Sequence, residues 1–427
     1  MRSPEHFVFV ESNTTGTGAL AVRRLLERGD RVTFLAREPG KYPFLDAPPP
    51  GLAVISMETN ETEAVAARLE ELQQGQGQEI NALLTFSEFY VPIVAEVAQR
   101  LGTRYLSPVA ARTCRSKPAT RAALCAAGRP TPQFRVLASE EDARRAAAEL
   151  SFPCVVKPPA DSSSKGVLQV DGPGMLLEHF QRLHAWRVND RGQGLSGEVL
   201  VEALLTGPEV SVETVTLARG ETTVVGITAK HLSPPPLFVE VGHDFPALLA
   251  AEEAVRVEAE VRAALDAVGF DFGPAHTEVR LTPRGPVIVE INPRLAGGMI
   301  PELVRHAIGI DLLEVFLEML RGRPVDLAPV RADHASIRFL LADRVGRLGA
   351  VSGLEEARNL ESVREVSIGK RQGAAVRPAE DAADRVGYVI ASGPSRPLVL
   401  DAAATALQTI RLEIDPLEAD VMERRLL

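Results

Sequence analysis

The chain has 427 residues, a formal net charge of -10 at pH 7 and a pI near 5.5. It is long enough for several domains, and its acidic balance excludes a nucleic-acid binder that works through a broad basic surface. Its three cysteines show no CxxC spacing, which indicates reduced thiols in a cytoplasmic protein. No apolar run approaches the roughly 18 residues of a membrane span, and HFVFV near the N-terminus is too short for a signal-peptide core.

The first predicted domain, residues 1–107, alternates short apolar strands with amphipathic helices. The strands include HFVFV, RVTFLA and INALLTF, and the helices include GALAVRRLLERG and YVPIVAEVAQRLG. This alternation predicts an α/β domain with a parallel sheet flanked by helices. Gly16, Gly18 and Ala21 follow the first strand, as in a dinucleotide-binding turn, but the second strand ends at Arg37 without a clear ribose-binding acid. An NAD(P) oxidoreductase is therefore kept only as a weaker alternative.

The second predicted segment, residues 108–200, places two lysines at the ends of predicted elements. Lys117 precedes a proline, which suits the first turn of a helix, and Lys157 ends the apolar run CVV before two prolines. A loop of small residues follows, and its backbone N–H groups suit the oxygens of a phosphate. The predicted phosphate-covering residues are Ser162, Ser163, Ser164, Lys165 and Gly166. Taken singly, each motif also fits a solvated element end or a plain surface loop.

The third predicted segment, residues 201–325, contains the most informative stretch, HTEVRLTPRGPVIVEINPRLAGG. TEVRL and PVIVEIN are predicted to form a hairpin closed by the TPRG turn. Glu290 and Asn292 are two positions apart and share one strand face, and Glu278 near the start of the partner strand can lie across from them. Their oxygens are the ligands that Mg²⁺ prefers, and Arg294 adds a planar donor fork for phosphate or carboxylate. A solvated surface hairpin is the alternative, which the apolar run VIVEI disfavours.

The last predicted segment, residues 326–427, contains the strands ASIRFLLA and RVGYVIASG and a helix PLVLDAAATALQTIRLEI, which predict a compact α+β module. Before it, AKHLSPPPLFVEVGHDFP, residues 229–246, is predicted to be an insertion with loop structure. Glu240 and His243 are three positions apart in this loop, so the sequence does not establish that their side chains point the same way.

Four motifs in this order resemble the ATP-grasp superfamily of carboxylate-amine ligases. They are SKPATRAALCAAGRPTP, FPCVVKPPADSSSKGV, EVLVEALLTGPEVSVE and the hairpin above. The resemblance implies an ATP-grasp fold with a Rossmann-like N-terminal domain, a small lid subdomain, a large nucleotide-clamp domain and a C-terminal α+β module. ATP is then expected between the lid and the clamp. The proline-rich segment and the C-terminal module look like those of bacterial L-amino acid ligases, which join free amino acids into dipeptides.

The same resemblance implies roles for individual residues. Two Mg²⁺ ions, with Mn²⁺ as a substitute, are expected at Glu278, Glu290 and Asn292. Arg294 and His243 match positions that hold the substrate carboxyl group or the phosphorylated intermediate, although a hydrogen-bonded loop histidine is an alternative for His243. The implied nucleotide contacts are Lys117 and Lys157 for the phosphates, the loop from Ser162 to Gly166, the adenine linker Glu202, Ala203, Leu204 and Leu205, and Glu209 for the ribose hydroxyls.

The implied reaction follows from charge, because a carboxylate and a γ-phosphate repel each other unless metal ions and cationic side chains screen them. ATP would phosphorylate an amino-acid carboxylate, and an amine would attack the acyl phosphate to give an amide, ADP and phosphate. One alternative is a carboxylase of the same fold acting on bicarbonate, although the chain has no Met-Lys-Met biotin attachment signal. Another is a nucleotide-binding protein without turnover. The expected partners are small molecules, not nucleic acid or membrane, and a homodimer is left open.

Overall fold

The computed structural model describes residues 3–14, 16–76, 79–161 and 164–416. Its first part is a four-stranded parallel sheet in the order β3-β2-β1-β4, which confirms the predicted α/β arrangement. The strand predicted from INALLTF is shorter than expected. The elements are β1 His6–Val10, α1 Thr17–Glu27, β2 Arg31–Ala36, β3 Leu52–Ser56, α2 Thr62–Gln76, β4 Ala82–Leu84 and α3 Val91–Leu101.

Two short helices lead from this sheet into a second, four-stranded antiparallel sheet in the order β5-β8-β6-β7. Helices α6 and α7 pack together against the sheet over a small apolar core of their own. This unit is the lid. Its elements are α4 Pro108–Arg115, α5 Lys117–Ala126, β5 Phe134–Leu137, α6 Glu140–Glu149, β6 Cys154–Lys157, β7 Leu168–Val170, α7 Pro173–His184 and β8 Val199–Ala203.

The third unit, the clamp, supplies five strands of an eight-stranded sheet in the order β13-β12-β9-β10-β11-β14-β18-β16. Its helices cover the sheet and bury mainly aliphatic side chains. The elements of the clamp are β9 Glu209–Thr216, β10 Thr222–Leu232, β11 Glu240–Phe245, α8 Ala251–Ala267, β12 Gly273–Thr282, β13 Gly285–Asn292, α9 Ile300–Ile308 and α10 Leu312–Leu320.

The C-terminal part extends the same sheet across the predicted boundary at residue 325, because β11 pairs with β14. A separate three-stranded sheet, β17-β15-β19, lies beyond it. The elements are β14 His334–Leu340, β15 Gly346–Ser352, α11 Leu354–Arg358, β16 Val363–Ile368, β17 Ala375–Val376, β18 Gly387–Gly393, α12 Arg396–Thr409 and β19 Arg411–Asp415.

Two expectations about local structure were wrong. Residues 229–246 are not a looped insertion, because β10 and β11 form an antiparallel pair that joins the large sheet. The helix predicted from PLVLDAAATALQTIRLEI ends at Thr409, and the residues after it form β19, which pairs with β15. Leu412 and Ile414 alternate with charged residues in that strand, a period of two that fits a half-buried strand.

The first domain packs against the clamp through a continuous apolar core that joins β1 and β2 to α9 and α10. Ion pairs border this interface, with Arg24 Nη1 2.6 Å from Asp311 Oδ2 and the buried Arg321 paired with Glu5 at 2.7 Å. These contacts bring the first domain up to the edge of the hairpin β12–β13. No helix among the described residues is long and apolar enough to cross a membrane.

Candidate active site

The predicted hairpin is confirmed, and it places its two acids directly opposite each other. Glu278 on β12 is the register partner of Glu290 on β13, and His276 is the partner of Asn292. Thr282 Oγ1 donates to Gly285 O at 2.8 Å and accepts from Arg284 N at 3.2 Å, which closes a two-residue turn. Directly opposed residues of an antiparallel pair project from the same face. Glu278 lies in the middle of its strand, not near the start as expected.

The two predicted phosphate lysines lie in the cavity that the hairpin borders. Lys157 Nζ is 2.5 Å from Glu202 Oε2, and Lys117 Nζ is 3.3 Å from Glu290 Oε1. Lys117 Nζ also donates to Asp161 O at 2.9 Å. Ser116 caps helix α5 by accepting from Ala119 N, so Lys117 is held in the first turn. The structure therefore brings Lys117, Lys157 and Glu290 to one cavity between lid and clamp.

Arg121, one turn after Lys117, is a residue that the sequence did not single out. It is buried, and its guanidinium donates to Glu202 Oε1 at 2.6 Å and to the carbonyl oxygens of Ile288 and Val289 at 3.1 and 2.8 Å. Burial raises the pKa of Glu202, but the cations of Lys157 and Arg121 more than offset this and lower it to about 2. Arg121 thus ties β6, which ends at Lys157, to the β12–β13 hairpin through an ionised carboxylate.

The loop predicted to cover the phosphates is described in part. Ser162 and Ser163 lie outside the described residues. Ser164 Oγ donates to Phe238 O at 3.0 Å, and Lys165 pairs with Asp190 while its ammonium lies 5.2 Å from the centre of the Trp186 ring. Gly166 lies at the end of the loop, with its carbonyl oxygen 2.8 Å from His179 Nε2. Ser164 and Lys165 line the cavity.

The predicted adenine linker begins in the last two residues of β8 and also lines the cavity, through Glu202, Ala203, Leu204 and Leu205. The carboxylates at its two ends are already paired within the protein. Glu202 accepts from Lys157 and Arg121, and Glu209 accepts from Lys230 at 2.8 Å and from Arg280 at 2.5 Å. The resemblance implies that the Glu209 carboxylate binds the ribose hydroxyls. Those hydroxyls would then share the carboxylate with the two cations.

Lys230 on β10 is the second residue that sequence reasoning missed. Its side chain is 2% exposed, and Nζ lies 2.6 Å from Glu278 Oε1 and 2.8 Å from both Glu209 and Glu240. Burial lowers the pKa of Lys230, but these three carboxylates raise it well above its usual range, so the residue is an ammonium. A lysine flanked by Ala229 in an alternating strand pattern was the available signal.

The oxygen donors suit a hard divalent cation. Burial raises the pKa of Glu278, but Lys230 and His276 lower it far below its usual range, so the carboxylate is ionised as a ligand must be. Glu278, Glu290 and Asn292 together offer two carboxylates and one amide oxygen, a set that phosphate oxygens and water complete around Mg²⁺. Among the described residues no group of three or more His, Cys, Asp or Glu side chains is arranged to hold a metal alone. The set thus fits a nucleotide-bound ion.

Arg294 joins this cavity to a second one. Its Nε pairs with Glu88 of the first domain, and Nη1 donates to Leu295 O at 2.9 Å. Arg294 and Gly297 line both cavities. The second cavity lies against the first domain and is lined by polar groups that include Asn13, Thr17, Ser87, Glu88, Asp190 and Arg191.

His243 is fully buried on β11 and is not among the described residues that line either cavity. Its Nε2 lies 3.5 Å from Glu240 Oε2, and Glu240 does line the first cavity. Burial lowers the pKa of His243. Direct contact between His243 and a substrate carboxyl group stays a prediction, and the His243 ring packs edge-to-face against Phe339. The alternative, a hydrogen-bonded loop histidine, is wrong about the loop, because His243 lies on β11.

Comparison with known proteins identifies two domains. Residues 150–302 match the model of an ATP-grasp domain, and residues 338–415 match that of the L-amino acid ligase C-terminal domain 2. The solved structure of an L-amino acid ligase from Bacillus licheniformis superposes with a TM-score of 0.80 and 22% identity over 97% of this chain and 100% of that chain. At that identity the match establishes the fold, and the predicted ATP-grasp fold is confirmed.

Sequence relatives agree with this assignment. An uncharacterized protein, y4rH, of Sinorhizobium fredii is 32% identical over 90% of this chain and 78% of its own length. Carnosine synthase 1 of Gallus gallus is 30% identical over 70% of this chain, and alanine-anticapsin ligase of Bacillus amyloliquefaciens is 27% identical over 58%. The chain spans only 34% and 56% of the lengths of those two enzymes. The chain belongs to the ATP-grasp ligases and is related to the L-amino acid ligases.

Proposed function

We propose that this enzyme joins an amino-acid carboxylate to the amine of a second amino acid through an acyl phosphate, releasing ADP and phosphate. One observation supports this most strongly. Glu278 and Glu290 face each other in the cavity that holds Lys117 and Lys157, and Arg294 connects that cavity to a second, polar one. A nucleotide in the first cavity would thus have its γ-phosphate end next to space for a small polar substrate.

The predicted phosphate and metal residues of the first cavity each have a part in the proposed reaction. Lys117 and Lys157 bind the α- and β-phosphates, and the loop containing Ser164 and Lys165 covers them and excludes water from the hydrolysable intermediate. Glu278, Glu290 and Asn292 would hold two Mg²⁺ ions, for which Mn²⁺ can substitute. When bound, these ions screen the phosphate charge from the attacking carboxylate.

Arg294 lies where the transferring phosphoryl group would meet the acyl acceptor. Its planar fork suits a phosphoryl oxygen or a carboxylate, and Glu88 orients the guanidinium from the other side. The second cavity then takes the amino-acid substrates, beside the first domain. His243, beside Glu240, is proposed to position that glutamate.

The enzyme is proposed to consist of the four predicted segments. The proposed bounds are residues 1–107 for the first domain, 108–200 for the lid, 201–325 for the clamp and 326–427 for the C-terminal module, and strand β8 crosses the bound between lid and clamp. We place the enzyme in the cytoplasm, acting on small molecules without a nucleic-acid or membrane partner, and Cys114, Cys125 and Cys154 as free thiols support this. A homodimer is not required by the site.

The experiment that tests this proposal is a phosphate-release screen over pairs of amino acids, with mass detection of the product. We expect ADP, phosphate and one amide product to appear together. Glu290→Gln should lower release by about 100-fold or more, because one metal-binding charge is lost. Glu252→Gln, an exposed change on α8, is the matched control and should leave release unchanged. Release that depends on bicarbonate, or normal turnover by Glu290→Gln, would contradict the proposal.

A further inference from the structure

The chain between α7 and β8 leaves the lid and lies on the first domain. Residues 188–194, here called the lid hairpin, are closed by a bridge between Val188 and Gly194 and by Asn189 Nδ2 donating to Gln193 Oε1 at 2.8 Å. The two residues at its tip, Asp190 and Arg191, line the second cavity. A segment of the lid thus forms part of the wall of a cavity that belongs mainly to the first domain.

Arg191 lies in a niche of the first domain whose own side chains are hydrogen-bonded to one another. Its Nη1 donates to Tyr42 OH at 3.0 Å and its Nη2 to Ser12 O at 2.8 Å. Glu11, buried beneath them, accepts from Thr59 Oγ1 at 2.7 Å and from Tyr42 OH, and lies 3.9 Å from Arg191. The niche therefore offers one carboxylate and two oxygen acceptors to a planar guanidinium.

Backbone contacts hold the same hairpin from the sides. The carbonyl oxygen of Arg191 accepts from Arg37 Nη1 at 3.3 Å and from Asn60 Nδ2 at 3.0 Å. Lys41 Nζ donates to Asp190 O at 3.2 Å. Gly192 has φ +74°, a left-handed backbone conformation that favours glycine at the tip of the hairpin.

The other side of the hairpin reaches the phosphate loop. The carboxylate of Asp190 pairs with Lys165, whose ammonium lies over the Trp186 ring. Lys165 lines the nucleotide cavity, and Asp190 lines the second one. Two adjacent residues, Asp190 and Arg191, therefore connect the loop over the phosphates, the wall of the second cavity and the first domain.

We propose that Arg191 is a positioning residue that couples closure of the second cavity to the placement of Lys165 over the phosphates. This inference rests on the proposed function. It adds a residue that contacts neither the β12–β13 hairpin nor Lys117 and Lys157. When Arg191 is anchored, the hairpin closes the second cavity and keeps water from the acyl phosphate. When it is released, water hydrolyses the acyl phosphate to the free acid and phosphate, so phosphate is formed without amide.

The first test measures the contact itself by hydrogen exchange. Arg191→Ala should speed exchange in residues 188–194, because the anchor to Tyr42 and Ser12 is gone. Arg191→Lys keeps the charge but cannot donate to both acceptors as a fork, and we expect an intermediate exchange rate. Arg187→Ala is the matched control, since Arg187 is exposed and, among the described residues, its side chain donates only to the carbonyl oxygens of His184, the last residue of α7, and Trp186. Unchanged exchange in Arg191→Ala would overturn the proposal.

The second test measures phosphate released per amide formed, with the amino-acid pair that the screen identifies. We expect a ratio near one in the parent and in Arg187→Ala. A rise of about threefold or more is expected in Arg191→Ala, with partial recovery in Arg191→Lys. A merely structural loss would lower phosphate and amide together, so an unchanged ratio in Arg191→Ala would overturn the coupling. If the parent forms no amide at all, the proposed function fails, whereas the exchange experiment still decides whether Arg191 anchors the hairpin.

Discussion

Lys230 Nζ lies 2.6 Å from Glu278 Oε1, so a buried ammonium and the proposed metal ions share one carboxylate. The same ammonium lies 2.8 Å from Glu209 and from Glu240. The three acids come from β9, β11 and β12. Glu209 also pairs with Arg280 and Glu240 also pairs with Arg385, but Lys230 is the cation that all three acids share. Lys230 thus offsets the repulsion among three carboxylates that lie beside the proposed binding site for the nucleotide phosphates.

Replacing Lys230 by Met should destabilise the fold. We expect the free energy of unfolding to fall by roughly 3–5 kcal/mol, the usual cost of removing one partner from a buried ion pair. Mg²⁺ should restore more stability to this variant than to the parent, because the uncompensated acids then attract the cation more strongly. Denaturant titration with and without Mg²⁺ measures both effects. Arg371→Met, at a cation that is 85% exposed, is the control; equal losses in the two variants would contradict the assigned role.

Replacing Arg121 even by lysine should destabilise the fold. Arg121→Lys retains the charge but cannot reach Glu202, Ile288 O and Val289 O together, so we expect a loss of about 3 kcal/mol. The KM for ATP should rise as well, since Glu202 also orients Lys157. Thermal melting and ATP titration check this. Arg144→Lys, at an exposed helix position, should change neither quantity, and a similarly unaffected Arg121→Lys would be the contrary result.

Gly207 is tightly enclosed in the turn before β9. A Cβ there would lie 2.0 Å from Leu281 O, and φ is +117°. Gly285 has a nearly equal φ of +118° but nothing within 4 Å of its ideal Cβ. Gly207→Ala should therefore cost more than Gly285→Ala, by roughly 1–3 kcal/mol, since the second change carries only backbone strain. Chemical denaturation of both variants makes the comparison, and equal losses would show that the contact with Leu281 does not matter.

His6 on β1 should make stability depend on pH below neutrality. Burial, with a smaller effect from Arg31, lowers its pKa from 6.5 to about 4. The unfolded chain binds the proton more readily, so this contribution is fully present above pH 6.5 and is lost as the pH falls toward 4. The loss is at most roughly 3 kcal/mol. His6→Gln keeps a donor for Thr33 Oγ1 and should flatten that part of the curve. Parallel curves for variant and parent would refute the assignment.

Much of the fold was predictable from local patterns. The parallel sheet of the first domain followed from apolar strands alternating with amphipathic helices, and the β12–β13 hairpin followed from two strands around a TPRG turn. The family resemblance was confirmed by the matches to the ATP-grasp and L-amino acid ligase domains. By contrast, the β10–β11 hairpin was taken for a loop, because its three prolines conceal the strands on either side. The roles of the individual site residues stay predictions.

The sequence by itself determined the features that depend on residues close together in the chain. These are the strand period, the turn residues, and the pairing of Glu278 with Glu290 in a hairpin with a two-residue turn. What only the tertiary structure decided were charge partners far apart in the chain. Arg191 meets Tyr42 across 149 residues, and Lys230 meets Glu278 across 48. The periodicity of a strand or helix determines on which face of that element a side chain lies. The charged partner of that side chain depends on how separate elements pack. This packing is determined by apolar surfaces, whose residues do not indicate which charges will pair.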